Sequence, residues 1–167
     1  MNLLHSFHAT SDIVMITQLK ARYAMFADAK YHSDHRQADP DKLAAAARGQ
    51  AACFTVDASW DAGPEFGGTL RGRHELECFF RSPPWRYAIH FYTAPLFEEI
   101  GELTRVMWRL WQICLPVDSD EPVLLAATTE EDYVKTTKGW LHHHVRFVTL
   151  DSLRVPSGQL QSLGLKI

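Results

Sequence analysis

The chain is poor in the features that mark whole classes of protein. No stretch of its 167 residues approaches roughly 18 consecutive apolar residues, so no membrane-spanning helix is expected. Met1 to Thr10 has neither a basic cluster nor an apolar core, so no secretory signal is expected there, and the expectation is a cytoplasmic protein. Cysteine is scarce: Cys53, Cys78 and Cys114 are odd in number, far apart and form no CxxC pair. That speaks against a disulfide framework or a zinc site and suits a reducing compartment. The 17 Lys and Arg are scattered singly and the formal net charge is −3, which leaves no footprint for nucleic acid or an acidic membrane. Gly63-Pro64-Glu65-Phe66-Gly67-Gly68 lacks the Lys-Ser/Thr of a phosphate loop and the spacing of a dinucleotide loop, and no Ser or Cys triad is evident. No metal and no cofactor is expected.

What is present is globular composition, 46% hydrophobic and 22% charged, in a chain the length of one domain. Ile13, Ile16, Leu19, Tyr23 and Phe26 recur at helical spacing, predicting a helix from about Ser11 to Lys30. Pro40 suits a first helical turn, and the alanine-rich segment Asp41 to Ala51 reads as a second helix. Cys53 to Asp61 alternates like a strand, Thr69 to Arg71 reads as a short return strand, and Gly72 to Phe80 as a third helix. Beyond Ser82-Pro83-Pro84 everything reads as strand: Arg86 to Glu98, Thr104 to Pro116, Val123 to Thr137 and Trp140 to Leu150, joined by short hairpin-type connections. Helices first and an antiparallel meander last is α+β logic, with helices on one face of a sheet. Strands this long bend, and a bent sheet over a helix leaves a conical cavity. The expected fold is therefore a single α+β domain whose strongly curved mixed or antiparallel sheet forms a cone-shaped barrel around a pocket.

In that order of elements certain residues stand out: Leu19-Lys20-Ala21-Arg22-Tyr23 and Phe26-Ala27-Asp28 on the first helix, Phe54 to Trp60, and Gly72-Arg73. Ile89-His90-Phe91-Tyr92-Thr93-Ala94-Pro95 and Gly139-Trp140 complete the set. Over roughly residues 12 to 150 the chain resembles the SnoaL-like branch of the nuclear-transport-factor-2-like superfamily, the branch of scytalone dehydratase and bile-acid 7α-dehydratase. The resemblance implies an acid–base pair of Asp28 and His90, and a hydrogen-bonding tyrosine at Tyr23, five residues before the aspartate. Other positions depart from those enzymes: Ala27 stands in place of a tyrosine, Ala126 near a histidine position and Trp111 near an aspartate position.

The residues carry their own argument. Asp28 lies between Phe26-Ala27 and Ala29 near a helix C-terminus, where the helix dipole disfavours a carboxylate. A histidine partner would account for it, the carboxylate fixing the tautomer and steadying the imidazolium formed on proton abstraction. The bland alternative is a solvated helix-end aspartate. Strand alternation sets His90 and Tyr92 on one face and Phe91 on the other. Tyr23 and Asp28 are about 140° apart on an ideal helix, so both reach a cavity only if it spans a wide arc. Within His142-His143-His144, only His142 and His144 share a strand face and could share an ion, with Glu130 or Glu131 as neighbour; the resemblance instead implies that one of these histidines, with His144 taken as the candidate, or Arg146 faces the cavity. Phe54, Trp60, Tyr92 and Trp108 are expected to line a pocket suited to a planar ligand.

The expected function is a cofactor-independent lyase of dehydratase type, or one cleaving a C–C bond, acting on an aromatic or polycyclic small molecule. An isomerase, a cyclase or an epoxide hydrolase in the same pocket is the alternative. From another class, so is a non-catalytic ligand-binding or scaffold subunit. A homodimer or homotrimer is expected, through the convex sheet face or the apolar segment Arg154 to Ile167.

Overall fold

The computed structural model describes residues 3–63 and 68–156, with side chains from residue 10. Phe66 and most of the segment from Arg154 to Ile167 lie outside the described residues. In chain order the elements are α1 (Leu3–Asp28), α2 (Pro40–Ala51), β1 (Phe54–Asp61), β2 (Thr69–Arg71), α3 (Arg73–Phe80), β3 (Trp85–Glu99), β4 (Leu103–Pro116), β5 (Val123–Thr136) and β6 (Gly139–Arg154). These follow the expected sequence of elements, with α1 starting about two turns earlier than its apolar periodicity begins.

The six strands form one open sheet in the order β2-β1-β6-β5-β4-β3. The pairs from β3 to β6 are antiparallel, whereas β1 joins β6 in parallel. The expected barrel does not close: β2 and β3 remain as free edges, and the helices cover the concave face between them. Curvature comes from irregularities in pairing. In β3 the register shifts between Thr93 and Leu96, around Ala94, which has φ of 47°. In β6 it shifts between the Asp132 and Tyr133 pairings and again between Thr128 and Thr129. Such bulges add an unpaired residue and sharpen the local twist.

Helix α1 presents Ile16, Leu19, Tyr23 and Ala27 to the core, which they share with Phe54, Trp60, Leu76, Phe80, Trp108 and Tyr133. Three polar contacts fasten it to the sheet. Asp12 accepts from Lys135 Nζ at 2.8 Å and from Trp140 Nε1 at 3.0 Å. Lys20 Nζ reaches Glu131 Oε1 at 2.5 Å, with both side chains fully buried. Asp28 reaches β3. Helix α2 packs close to α1 because Gly49 has no side chain: a Cβ there would come within 2.4 Å of the Phe26 ring.

Glu131 also accepts from Thr129 Oγ1 at 2.7 Å and from Tyr133 OH at 2.5 Å. Burial opposes its charge, but the Lys20 ammonium and the neighbouring His142 prevail and hold the carboxyl below the usual range. Removing one partner of a buried pair leaves the other charged and uncompensated, at about 3–5 kcal/mol. Lys20→Met is therefore expected to cost about that much. The double variant Lys20→Met/Glu131→Gln should cost less than Lys20→Met alone, as read from urea unfolding of the single and double variants.

Candidate active site

Asp28 and His90 meet where α1 ends against the edge strand β3. His90 Nδ1 lies 2.7 Å from Asp28 Oδ1, and the backbone N–H of His90 donates to the same oxygen at 3.1 Å. That amide is available because β3 has a neighbour on one side only. One carboxylate oxygen thus caps an edge-strand donor and orients the ring attached to it, which accounts for an aspartate at a helix C-terminus. With Nδ1 engaged on the carboxylate, Nε2 is the ring nitrogen left to act on another molecule. Burial pushes His90 below its ordinary pKa, opposed by Asp28, so the imidazole is neutral near pH 7.

His90 and Tyr92 stand between two hollows. On the concave side is a cavity of about 100 Å³ lined by Tyr23, Trp60, Phe79, Phe80, Trp85 and Phe147, among others. Between α1 and β3 is a second, more open groove of about 560 Å³ lined by Asp28, Lys20, Met25, Phe91 and Trp108. Asp28 lines the groove and not the cavity, whereas His90 lines both. Tyr23, by contrast, does line the cavity, edge-on to Phe54, Phe80 and Tyr92. Its hydroxyl contacts Gln50 and Tyr92, and burial keeps it a proton donor by raising its pKa.

The remaining expected site residues divide. Trp60 and Tyr92 line the cavity. Phe54 does not: it is fully buried in the core, stacked on His142 at 4.9 Å. Trp108 borders the groove between α1 and β3, its Nε1 donating to Tyr133 OH at 3.0 Å. His144 and Arg146 are corrections. His144 Nδ1 lies 2.7 Å from Ser59 Oγ, and Arg146 pairs with Glu130 at 3.2 Å on an exposed face. The β6 bulges put His142, Val145, Phe147 and Leu150 on the concave side, so plain alternation from His142 to His144 fails. The suggestion that His142 and His144 could share an ion fails with it. Among the described residues no group of three His, Cys, Asp or Glu side chains is arranged to hold a metal.

Sequence reasoning missed Lys30, Gln50 and Gln112, all buried and all on the cavity wall. Gln112 was findable, because it faces His90 across the β3–β4 pairing. Lys30 follows the helix end in an apparently polar loop, and nothing local marks it as buried.

The fold and site define an α+β cone with a free-edged sheet, an internal aromatic cavity and an oriented imidazole in its wall. The SnoaL-like domain family matches residues 8–146, and the chain belongs to that family. Similar solved structures include one assigned as an aromatic ring hydroxylase from Novosphingobium aromaticivorans, with TM-score 0.67, 17% identity, and 86% of this chain and 94% of that chain covered. Another, assigned as a scytalone dehydratase from the same species, has TM-score 0.66, 13% identity and coverage of 88% and 91%. The hexachlorocyclohexane dehydrochlorinase of Novosphingobium barchaimii has TM-score 0.61, 17% identity and coverage of 90% and 91%. At these identities the likeness is one of fold. No curated protein sequence matches the chain.

His142 is fully buried against Phe54, Tyr23 and Tyr133 with Nδ1 3.3 Å from Glu131 Oε2, and burial, opposed by that carboxylate, lowers its pKa and holds it neutral too. An unfolded chain protonates both histidines near pH 6.5, whereas the fold resists. Their contribution to stability is therefore complete above that pH and is lost as pH falls below it. The Tm should decline below about pH 6.5, and His142→Phe should flatten that decline, as checked by thermal melts from pH 7.5 to 5.

Proposed function

We propose that the protein is a cofactor-independent lyase of dehydratase type, with His90 as general base, Asp28 as the residue that orients it, and Tyr23 as hydrogen-bond donor. The observation that carries this reading is the 2.7 Å contact between Asp28 Oδ1 and His90 Nδ1 at the wall of an aromatic cavity. The neutral imidazole takes a proton from a carbon or hydroxyl of the substrate through Nε2. The charge that develops on the ring is steadied by the carboxylate at Nδ1. The Tyr23 hydroxyl, raised in pKa and so protonated, donates to the departing or developing oxygen. The names of the fold neighbours agree with such chemistry without specifying the bond broken.

Cavity size bears on the substrate. An apolar cavity of about 150 Å³ accepts benzene. The roughly 100 Å³ here is smaller and not enclosed, so a single planar ring would fill it and extend through its open side, and a polycyclic substrate would project farther. Three unpaired cysteines, two of them buried, support a reducing compartment.

Self-association is supported by the convex face. Phe91 and Trp111 pair across β3 and β4 and are 46% and 49% exposed, with Ile113, 43% exposed, beside them. An apolar patch of this kind on a soluble domain marks an interaction surface. Light scattering is expected to give a dimer or trimer, and Trp111→Glu should shift it toward monomer; a monodisperse wild-type monomer would refute the assembly.

For the catalytic reading, His90→Ala and Asp28→Asn are each expected to lower turnover of the dehydrated substrate by about 10²–10⁴-fold with unchanged circular dichroism. Near-wild-type turnover in either would remove the mechanism and favour a binding or scaffold role.

A further inference from the structure

One charged side chain in the cavity is not used by this chemistry. Lys30 follows the end of α1, is 5% exposed, and its ammonium donates to Gln50 Oε1 at 3.0 Å. No carboxylate lies within ion-pair distance of it among the described residues, and the nearest negative charge it feels, Asp28, is engaged on His90. A buried cation is normally retained with a counter-charge, and a glutamine oxygen is not one. Burial lowers the Lys30 pKa to about 8, partly offset by Asp28, so it remains mostly protonated at neutral pH.

A second observation concerns Trp60. It lines the same cavity, and its buried indole N–H has no hydrogen-bond partner among the described residues. A buried donor without an acceptor is costly, and such groups in native structures call for a missing partner. Among the described residues no Asp or Glu lines this cavity, so its wall carries an ammonium and an unmet indole donor with no acidic side chain among them to balance the charge.

We propose that Lys30 is the anion-binding residue of the cavity, and that the ligand is a small aromatic carboxylate. Its negative group pairs with the Lys30 ammonium, and its ring lies among Trp60, Phe79 and Phe80. The proposal rests on the reading that this cavity is the substrate site, and it narrows the substrate from a planar ring to a planar acid. The ligand supplies the counter-charge that the protein withholds, so charge and shape are recognised together.

The test compares benzoate with benzamide, which share shape and differ in charge. Binding to the full-length protein is followed through the indole N–H resonances of Trp60 and Trp85 in wild type, Lys30→Met and His90→Ala. Wild type is expected to prefer benzoate by at least about tenfold, and Lys30→Met to lose that preference while retaining benzamide binding. His90→Ala should keep the preference, since the anion site does not depend on the base. Loss of turnover in His90→Ala with the preference intact supports both readings. Wild-type turnover in His90→Ala would defeat only the lyase. Equal affinities in wild type, no binding of benzoate, or a Lys30→Met protein that still prefers benzoate would overturn the anion site. If Lys30→Met fails to fold, the wild-type comparison still decides, with Lys30→Gln as the second variant.

Discussion

The structure depends on how α1 is held across the concave face of the sheet. The helix carries a polar side chain every eight residues, Asp12, Lys20 and Asp28, and each is fastened to a different part of the sheet. Eight residues are about 12 Å of helix and 80° of net rotation, so the three attachments trace a diagonal from the β5–β6 hairpin to the free edge at β3. The middle one, Lys20 with Glu131, is fully buried and closes the network with Thr129 and Tyr133. Burying an ion pair is a weak source of stability, because desolvation consumes much of the attraction. What it supplies here is register: α1 cannot slide or turn without separating two charges in a medium with no water. Tyr23 and Asp28 therefore arrive at fixed places, the first on the cavity wall and the second against His90.

The division of labour around His90 follows from that placement. The carboxylate borders the groove beside α1, whereas the inner cavity is lined by His90 and not by Asp28. The imidazole thus meets the carboxylate through Nδ1 while its ring borders the cavity, whose wall holds no carboxylate among the described residues. The edge position of β3 contributes, because an unpaired strand amide needs an acceptor and Asp28 provides it. Lys30 and Trp60, on the inner side, leave the cavity rich in donors, which is the electrostatic setting in which an anion is held or a developing oxyanion is stabilised.

Much of this could be read along the chain. Apolar spacing in α1, the Pro40 start of α2, and the long alternating strands after Pro84 are local patterns, and local patterns are what backbone geometry imposes on a sequence. Asp28 betrayed itself by violating one: a carboxylate at a helix C-terminus among apolar residues needs a partner. His144 and Arg146 were misjudged because alternation has memory of only two residues. A single inserted residue reverses every later side chain, and β6 contains two such shifts. Phe54 fits an aromatic pocket by type and belongs to the core by position, stacked on a histidine that no local signal marked as buried.

By itself, then, the sequence determined the order of helices and strands, the α+β class, and a short set of residues whose chemistry wanted explaining. Those properties depend on near neighbours in the chain. Tertiary structure decided that the sheet stays open, that β1 runs parallel to β6, and which face each β6 side chain occupies. It also decided that Lys20 and Lys30, charged and therefore expected in solvent, lie inside. The physical reason is common to all of these. Burial and pairing are settled between segments far apart in sequence, here residues separated by 62 and 111 positions, and no local rule specifies which distant group will meet a given charge.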